Sequence, residues 1–436
     1  MTRTDSNSLR PLPPRSLAAL LLAMFAIALG YGFLLPILPS TIARIAGTSD
    51  PAILAQHTGV LTGTYTLALF LFAPLWGRFS DRYGRRPAIV AGLVGFALTL
   101  MLFAMAGNLS SLYLGRFLNG AFAASIAPAA YALVGDRAPT KEWRAHRFAL
   151  LNIAGASGFL VGPMMGAFVL SAAGGVLPGL DDVEISRSPF FATSGFALVA
   201  AILVAAFEPG RVMRGPDRWE DAGVPEGRAA LLRLLAISFV TALAVGAFEV
   251  GLSLRGTEML GMSNYRLGLM FTECSLVMLI VQSVVFSPLV DPDVTRWFLT
   301  PSLVVLAAGV AAVPFASSDA GTAVVVAMIA ASAGILSPVA TYWISISAGE
   351  RQGTDLGWQT ASASLGQAAG SAAGGLLFGV ALVPNASFTV TAIVVLAALA
   401  ASIGVPRLLK QPEREGPDAP ASTGTSRTAA EEGRRS

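Results

Sequence analysis

Three ionisable residues lie well inside long apolar segments of this sequence: Arg116, Glu249 and Glu273. A charge in hydrocarbon is costly unless it is paired or hydrated, and such residues commonly mark proton or ion pathways. Burial also disfavours the ionised form of a carboxyl group. We therefore expect Glu273 or Glu249 to bind and release a proton, while Arg116 holds a bound molecule or competes for the carboxylate. Glu273 is the stronger candidate because a small shift in the helix boundary would place Glu249 at the wet rim, and a static ion pair is the alternative.

Few other side chains in this sequence are suited to catalysis. Cys274 is the only cysteine, so an intramolecular disulfide is excluded. The two histidines, His57 and His146, are too few for a clustered Cys/His metal site. An enzyme embedded in a membrane would need nucleophile, base or metal ligands grouped together. We therefore expect no enzyme activity, no metal and no bound cofactor.

The elements that must position the buried ions are long apolar helices. Apolar residues make up 54% of the chain and charged residues only 13%, about half the charged fraction of an ordinary soluble domain. A helix needs roughly 20 apolar residues to cross a bilayer. About twelve such segments start near Ser16, His57, Ala88, Leu109, Phe148, Pro189, Ala229, Tyr265, Arg296, Gly321, Leu356 and Ser387. The predicted fold class is an all-α membrane protein, with twelve transmembrane helices in two pseudo-symmetric six-helix bundles.

Positive charge is distributed unevenly between the ends of these segments. If the N-terminus is cytoplasmic and the spans alternate, most of the 29 lysines and arginines fall on the cytoplasmic side. Positive residues favour that side, so both termini are predicted to be cytoplasmic.

Nucleic-acid binding would need a basic patch on a folded polar face and is not expected. Arginine is far more frequent than lysine, which is typical of a GC-rich bacterial genome and indicates a bacterial inner membrane.

Polar stretches divide the chain into parts. Residues 1–14 and 411–436 are polar and are predicted to be disordered cytoplasmic tails. The longest interior polar stretch, from Glu208 to Arg228, falls between the sixth and seventh spans. The prediction is an N-terminal six-helix bundle at 15–208, a cytoplasmic linker at 209–228 and a C-terminal six-helix bundle at 229–410.

The two halves share an internal repeat. Pro338 lies 210 positions after Pro128, and each proline is followed, further along the chain, by three glycines spaced four positions apart. The first glycine ladder is Gly158, Gly162 and Gly166, and the second is Gly366, Gly370 and Gly374. Such a ladder lies along one helix face and lets another helix approach closely. Duplicated halves around a midplane cavity are the usual architecture of secondary transporters.

The loop between the second and third spans is GRFSDRYGRRP, with four arginines and one aspartate. Asp81 is expected to accept hydrogen bonds at the N-terminus of a neighbouring helix, where the helix dipole favours an anion. The arginines are expected to pair with Asp136 at the end of the fourth span. These contacts would form a breakable lock on one side of a cavity. The residues assigned to this gate are Gly77, Asp81, Arg82, Gly84, Arg85, Arg86 and Asp136.

These segments together resemble the major facilitator superfamily. GRFSDRYGRRP is similar to its loop signature, and GFLLPILP (Gly32 to Pro39) to the proline pair of its first helix. LGRFLNGAFAA (Leu114 to Ala124) resembles its fourth-helix motif, with Asn119 where glutamine is common. GASGFLVGPMMG (Gly155 to Gly166) resembles the fifth-helix motif of members that exchange substrate for protons. The resemblance covers nearly the whole chain apart from the tails, and it implies twelve helices that move by alternating access without a covalent cofactor.

The fifth-span motif combines the first glycine ladder with Pro163, which removes a backbone donor and bends the helix. We expect Gly158, Gly162, Pro163 and Gly166 to form a hinge at the bundle interface; generic helix packing is the alternative.

Two features depart from the family pattern. The second-half loop DPDVTRW (Asp291 to Trp297) is degenerate, so only the lock in the first half is well supported. The first span carries no acidic residue, which argues against broad export of cationic drugs.

Polar and aromatic residues on cavity-type spans are candidates for substrate contact. They are Tyr31, Tyr65, Asn119, Asn152, Gln282 and Gln367. Each of them could instead make a hydrogen bond between packed helices. The small apolar residues around them favour an amphipathic or moderately apolar substrate.

The expected function is secondary active export of a small organic molecule, such as a drug, siderophore or metabolite, in exchange for protons. A proton-coupled symporter that imports a small metabolite is the main alternative, and a non-transporting receptor or scaffold is a weaker one. The partners expected are the small-molecule substrate, protons and the lipid bilayer, with the chain acting as a monomer.

Overall fold

The structure is a computed structural model that describes residues 12–176, 182–207, 225–262, 264–287, 290–348, 351–377 and 386–409. The predicted C-terminal tail, most of the predicted N-terminal tail and most of the predicted linker lie outside these residues. The described residues fold into α-helices, with short 3₁₀ turns at Pro292–Phe298 and Val313–Phe315. Long apolar segments favour helices because lipid offers no partner for backbone groups, which a helix satisfies internally.

The helices divide between two halves of the chain. The first half contains α1 (Pro14–Ala46), α2 (Pro51–Tyr83), α3 (Arg85–Ala104), α4 (Leu109–Ala123), α5 (Ile126–Asp136), α6 (Lys141–Val176) and α7 (Asp182–Phe207). The second half contains α8 (Pro225–Glu258), α9 (Asn264–Val285), α10 (Leu299–Ala312), α11 (Asp319–Ser347), α12 (Gln352–Leu376), α13 (Ala386–Ser402) and α14 (Val405–Leu408).

Ten segments of the described chain are long and apolar enough to cross a membrane, and one of them joins α4 and α5 into the span Leu109–Asp136. The helix α13 is a shorter apolar helix, and α12 is rich in glycine, alanine, serine and glutamine, which lowers its hydropathy. With these two, the described helices fit the predicted count of twelve. The low hydropathy of α12 has a physical reason, because this helix packs against α8 and α2 rather than standing in lipid alone.

The two glycine ladders pack the fifth helix of each half against the first helix of the same half. A side-chain carbon at Gly158 would meet the backbone oxygen of Phe25, and one at Gly162 would lie 2.7 Å from the backbone nitrogen of Phe33. In the second half, a side-chain carbon at Gly370 would meet the backbone of Leu243. The ladder that includes Gly158 therefore lies inside its bundle, against α1, and not between the two bundles as expected.

The other predicted hinge residues extend the same contact. Gly166 faces Phe33, with a side-chain carbon there placed 3.3 Å from the Phe33 Cβ. Pro163 lies inside α6 on its exposed side, and the helix continues through it to Val176. Backbone against backbone at these positions makes each bundle a tightly joined unit, because no flexible side chain intervenes.

The second ladder offers a test of this packing with a neighbouring control. We expect Gly370→Ala to lower the apparent melting temperature of the purified protein, because the added methyl group meets the Leu243 backbone and overpacking costs about 1–3 kcal/mol. Gly375→Ala should not lower it, since the nearest atom, Val250 Cγ1, would lie 3.9 Å away. Equal melting temperatures for the two variants would contradict this account of the ladder.

Candidate functional site

A cavity of about 280 Å³ lies among α1, α2, α4, α5 and α6 of the first half and α12 of the second. Its lining is mostly apolar, with polar groups contributed by Tyr31, Tyr65, Thr66, Thr360 and Gln367. The remaining lining residues are small or apolar: Met24, Ile27, Ala28, Leu69, Ala123, Ala124, Ile126, Ala127, Gly155 and Phe159. An apolar cavity with a few polar groups suits a small organic ligand, since the apolar lining supplies affinity and the polar groups supply orientation.

Arg116 lies behind the two tyrosines of this lining. Its side chain is 1% exposed, and its guanidinium carbon is 4.2 Å from the ring centroid of Tyr65 and 5.5 Å from that of Tyr31. Its Nε and one terminal nitrogen have no hydrogen-bond partner among the described residues. A desolvated cation on an aromatic face gains about 2 kcal/mol or more, which only partly offsets the cost of burying the charge. The static ion pair considered as an alternative is not seen for Arg116 within the described chain.

The tyrosine rings belong to a row of aromatic side chains. The ring centroids of Tyr31 and Tyr65 are 5.2 Å apart, and Tyr31 also stacks on Phe159 at 5.9 Å. Arg116 and these three rings come from α4, α2, α1 and α6. The row therefore ties four helices of the first half together beside the cavity.

Glu249 approaches the cavity from the second half, on α8. Its carboxyl group is hydrogen-bonded to the side chain of Gln367, which lines the cavity from α12. The carboxylate of Glu249 also interacts electrostatically with Tyr31 of the first half. Glu249 is therefore the acid that the structure brings next to the cavity and the aromatic row.

Glu273, the acid favoured by the sequence, is half-buried on α9. It lies near Cys274, which Glu249 also influences, so the two acids are on neighbouring parts of the second half. Glu273 is not among the residues that line the cavity. The position of each acid along its apolar segment did not fix which way its side chain faces.

Of the predicted substrate-contact residues, the structure places Tyr31, Tyr65 and Gln367 on the cavity. Asn119 is buried and donates to the Phe96 backbone oxygen and to Thr99, and Asn152 donates to the Phe148 oxygen of its own helix. Asn119 thus makes the hydrogen bond between packed helices that the sequence left as an alternative, whereas Asn152 bonds within α6.

The last of the six, Gln282, is buried, and its side-chain oxygen has no hydrogen-bond partner in the described part of the chain. It lies outside the cavity lining. Phe159 and Thr360, which sequence reasoning missed, do line the cavity. Phe159 could have been found from its spacing, because it follows Gly155 by four positions on the α6 face next to the glycine ladder.

One end of the molecule, which we name the lock end, carries the turn between α2 and α3 and the start of α12. Here Asp81 accepts hydrogen bonds across the two halves from the Gly353 nitrogen at 3.0 Å and the Thr354 nitrogen at 2.8 Å. It also accepts one from the Thr354 hydroxyl at 2.6 Å. This is a carboxylate at a helix N-terminus, where unpaired backbone donors and the helix dipole favour an anion.

Arg85 holds this aspartate in place. Its guanidinium contacts Asp81 at 2.5 Å and Asp136 at 2.9 Å, and its side chain is 7% exposed. Gly84, with φ 106°, makes the turn that brings Arg85 back toward α2, a conformation that favours glycine. Gly77 packs directly against the Gly353 backbone. Arg82 lies over the Tyr83 ring, and Arg86 donates to the Ala205 oxygen of α7, so neither of these contacts crosses between the halves.

The lock end has a second set of contacts, which the sequence did not predict. Lys141 at the start of α6 pairs with Asp293 at 3.1 Å. Arg144 donates to the Ser345 oxygen of α11 at 3.0 Å. Asp293 lies within the degenerate DPDVTRW segment, so this second-half segment also contributes a contact between the halves. The segment has lost the family pattern but keeps one acid in a 3₁₀ turn, where Lys141 can reach it.

Aromatic rings fill the space beside these polar contacts. Phe148 of the first half meets Tyr342 of the second at 6.4 Å between centroids, and Tyr131 packs on Phe148 at 4.9 Å. Phe286 and Trp343 lie 6.0 and 5.5 Å from Tyr342. The lock end is thus closed by a buried aromatic layer as well as by ion pairs.

Comparisons with known proteins agree with this architecture. Multidrug resistance protein 2 of Bacillus subtilis (strain 168) is 27% identical to this chain over 372 residues, which cover 82% of this chain and 88% of that protein. The tetracycline resistance protein, class E, of Escherichia coli is 36% identical over 154 residues, which are 35% of this chain and 37% of that protein.

A solved structure shows the same fold. The human organic anion transporter MFSD10 (TETRAN) superposes with a TM-score of 0.73 at 20% identity, covering 89% of this chain and all of that one. The sequence profile of the Major Facilitator Superfamily matches residues 20–292, which is more than half of the chain. This chain is therefore a member of the Major Facilitator Superfamily, a family of membrane transporters rather than enzymes.

Proposed function

We propose that this transporter exports a small, mostly apolar organic molecule in exchange for protons. The observation that carries the proposal is the position of Glu249, hydrogen-bonded to Gln367 beside the cavity. A carboxyl group with no cation on it can be neutral or charged at little structural cost, because the Gln367 amide can donate to either form. Such a group is suited to reversible proton binding in a low-dielectric site.

The cavity supports a drug-sized, amphipathic substrate. Its volume of about 280 Å³ is near the lower end of the range for small-molecule pockets. Its lining offers aromatic rings, hydroxyls and one amide, and none of the described lining residues carries a charge. Relatives named for multidrug and tetracycline resistance support export of such molecules, and the same names favour export over import.

The lock end is the cytoplasmic end in this proposal. It carries the arginines of the α2–α3 turn together with Lys141 and Arg144, and positive residues favour the cytoplasmic side. The hydrogen bonds, ion pair and ring contact described above between the halves lie at this end, so the halves are joined at the cytoplasm. In this conformation the closed lock end would separate the cavity from the cytoplasm. The membrane in this proposal is a bacterial inner membrane.

The acids of the second half give a test with a built-in comparison. Glu249→Gln should reduce drug-dependent proton release from everted vesicles to background, because the amide cannot exchange a proton. Glu273→Gln should retain most of it, since it is Glu249, and not Glu273, that interacts with the cavity-lining Gln367. Tetracycline serves as the probe, and a pH-sensitive dye follows the pH of the vesicle interior.

Three results would contradict the proposal. Proton release unchanged by Glu249→Gln would remove that residue from coupling, and loss with Glu273→Gln alone would transfer the role to the other acid. Proton movement in the opposite direction on adding drug would indicate import. Western blots of the vesicles control for the amount of each variant.

The lock contacts give a separate prediction about conformation. Asp81→Ala removes three hydrogen bonds from Gly353 and Thr354. Losing charge-assisted bonds worth about 2 kcal/mol in total changes a two-state equilibrium by roughly thirtyfold. We expect spin labels at exposed Glu142 and Arg407, in a Cys274→Ser background, to show a longer inter-half distance.

Arg78→Ala is the matched control for this measurement. Arg78 is an exposed residue of the same loop, and its removal should leave the distance distribution unchanged. An unchanged distribution with Asp81→Ala, measured by pulsed electron spin resonance, would show that the Asp81 contacts do not hold the halves together.

A further inference from the structure

The guanidinium of Arg116 is buried in the first half without an acid that balances its charge. The side chain is 1% exposed, and its Nε and one terminal nitrogen have no hydrogen-bond partner among the described residues. The first-half helices around the cavity contain three acids, Asp81, Asp136 and Glu142, and all three lie at the lock end. Asp81 and Asp136 already pair with Arg85. Arg116 therefore lacks a counter-charge within its own half.

Arg116 lies at the end of the cavity that is opposite the lock end. The helix α2 runs toward the lock end, and Tyr65 is its lining residue farthest from that end. The helices α1 and α6 run the other way, and Tyr31 and Phe159 are their last lining residues. On α4, Arg116 precedes the lining residue Ala123 by seven positions, about 10 Å along the helix. The aromatic row therefore closes the far end of the cavity, and the cation lies behind it.

This end of the cavity offers hydrogen-bond donors and a positive charge. Tyr65 and Tyr31 both line the cavity, with their ring centroids 4.2 and 5.5 Å from the guanidinium carbon of Arg116. A ring face attracts a cation through its quadrupole and supplies no oxygen acceptor for the N–H groups. An anionic oxygen can accept from the two tyrosine hydroxyls and, once the more distant Tyr31 ring turns aside, from the guanidinium. Such charge-assisted hydrogen bonds are roughly twice as strong as neutral ones.

We propose that the transported molecule is an organic anion, with its apolar body in the cavity and its anionic group at the aromatic row, where Arg116 supplies the counter-charge. The inference rests on the proposed function, because it names the substrate class of the same cavity. Arg116 is the specificity-determining residue, since none of the described lining residues is charged. The apolar body packs against Met24, Leu69 and Ile126, which line the cavity nearer the lock end.

Neutral and cationic molecules fit this end of the cavity less well. A neutral molecule would leave the charge of Arg116 uncompensated, and a cation would be repelled by it, more strongly in a low-dielectric interior than in water. The helix α1 contains no acidic residue, and none of the described lining residues is acidic. A cation would have to use Glu249, which interacts with the lining residue Gln367 on the α12 side. A cationic probe therefore discriminates between the two sides of the cavity.

Three probes that share a naphthalene body and differ in charge test the inference. At neutral pH, 1-naphthoate is an anion, 1-naphthamide is neutral and 1-naphthylmethylammonium is a cation. Equilibrium binding of each radiolabelled probe to the purified transporter in nanodiscs is measured by scintillation proximity, and the signal of empty nanodiscs is subtracted. We expect 1-naphthoate to bind about tenfold more tightly than 1-naphthamide, because a hydrogen bond to a charged group contributes at least that much. The cation should bind most weakly.

Substitutions at Arg116 assign the preference to its charge. Arg116→Gln should remove the preference for the anion over the amide, and binding of 1-naphthamide reports whether the cavity of this variant is intact. Arg116→Lys should keep part of the preference, because the charge remains without the planar fork of the guanidinium. Arg266→Gln is the matched control, since it removes one positive charge from an exposed ion pair with Asp319, outside the cavity lining. This control should keep the wild-type preference.

Equal binding of 1-naphthoate and 1-naphthamide by the wild-type protein would overturn the inference, as would an anion preference that persists in Arg116→Gln. Tightest binding of the cation would overturn it as well, in favour of the Glu249 side of the cavity. If Arg116→Gln is not recovered as a monodisperse protein, the wild-type order of affinities and Arg116→Lys still decide. Failure of the proposed function gives a different result, because proton release would be unaffected by Glu249→Gln while the order of the three affinities stayed as expected.

Discussion

An ion in a hydrocarbon interior is unstable unless the protein supplies what water would have supplied, and this constraint governs where the functional groups of this chain lie. Arg85 at the lock end is stabilised by two aspartates. Arg116 is stabilised by aromatic ring faces instead of carboxylates. Glu249 is stabilised by the side-chain amide of Gln367. The first group is fully compensated and joins the two halves, whereas the other two are only partly compensated. Partly compensated ions respond to a proton or a ligand, so they belong beside the cavity.

The lock shows how a closed conformation can be stable and still reversible. Asp81 accepts hydrogen bonds from the backbone nitrogens of Gly353 and Thr354, and those donors sit at the N-terminus of α12, where water would take the place of Asp81 once the halves separate. The exchange of one acceptor for another keeps the cost of opening to about 2 kcal/mol, the contribution of these bonds, since each state satisfies the donors. The aromatic layer around Tyr342 adds apolar burial, which favours closure without any ionic partner.

Much of this could be read from the sequence, and the exceptions share a cause. The twelve spans, the repeat and the contacts of Asp81 and Asp136 follow from residue type and order, because hydropathy and a dense motif are local properties. The choice between Glu249 and Glu273 depends on which way each side chain faces, and adjacent residues on a helix differ in direction by about 100°. The pairing of Lys141 with Asp293 depends on the distance between two loops that the sequence separates by 152 positions. Neither can be derived from spacing along one helix.

The glycine ladders limit where motion between the halves can occur. Within each half, backbone lies on backbone along α1–α6 and α8–α12, so sliding of these helices would meet carbonyl oxygens at every turn. Between the halves, the contact of α2 with α12 also uses glycines, Gly77 against Gly353 and Gly357 against the Ala73 oxygen. The Asp81 hydrogen bonds hold this contact at the lock end, and opening of the lock would separate the surface between the bundles. A change in charge at Glu249 would act across this same surface, since its partner Gln367 belongs to α12 and the ring it influences, Tyr31, belongs to the opposite half.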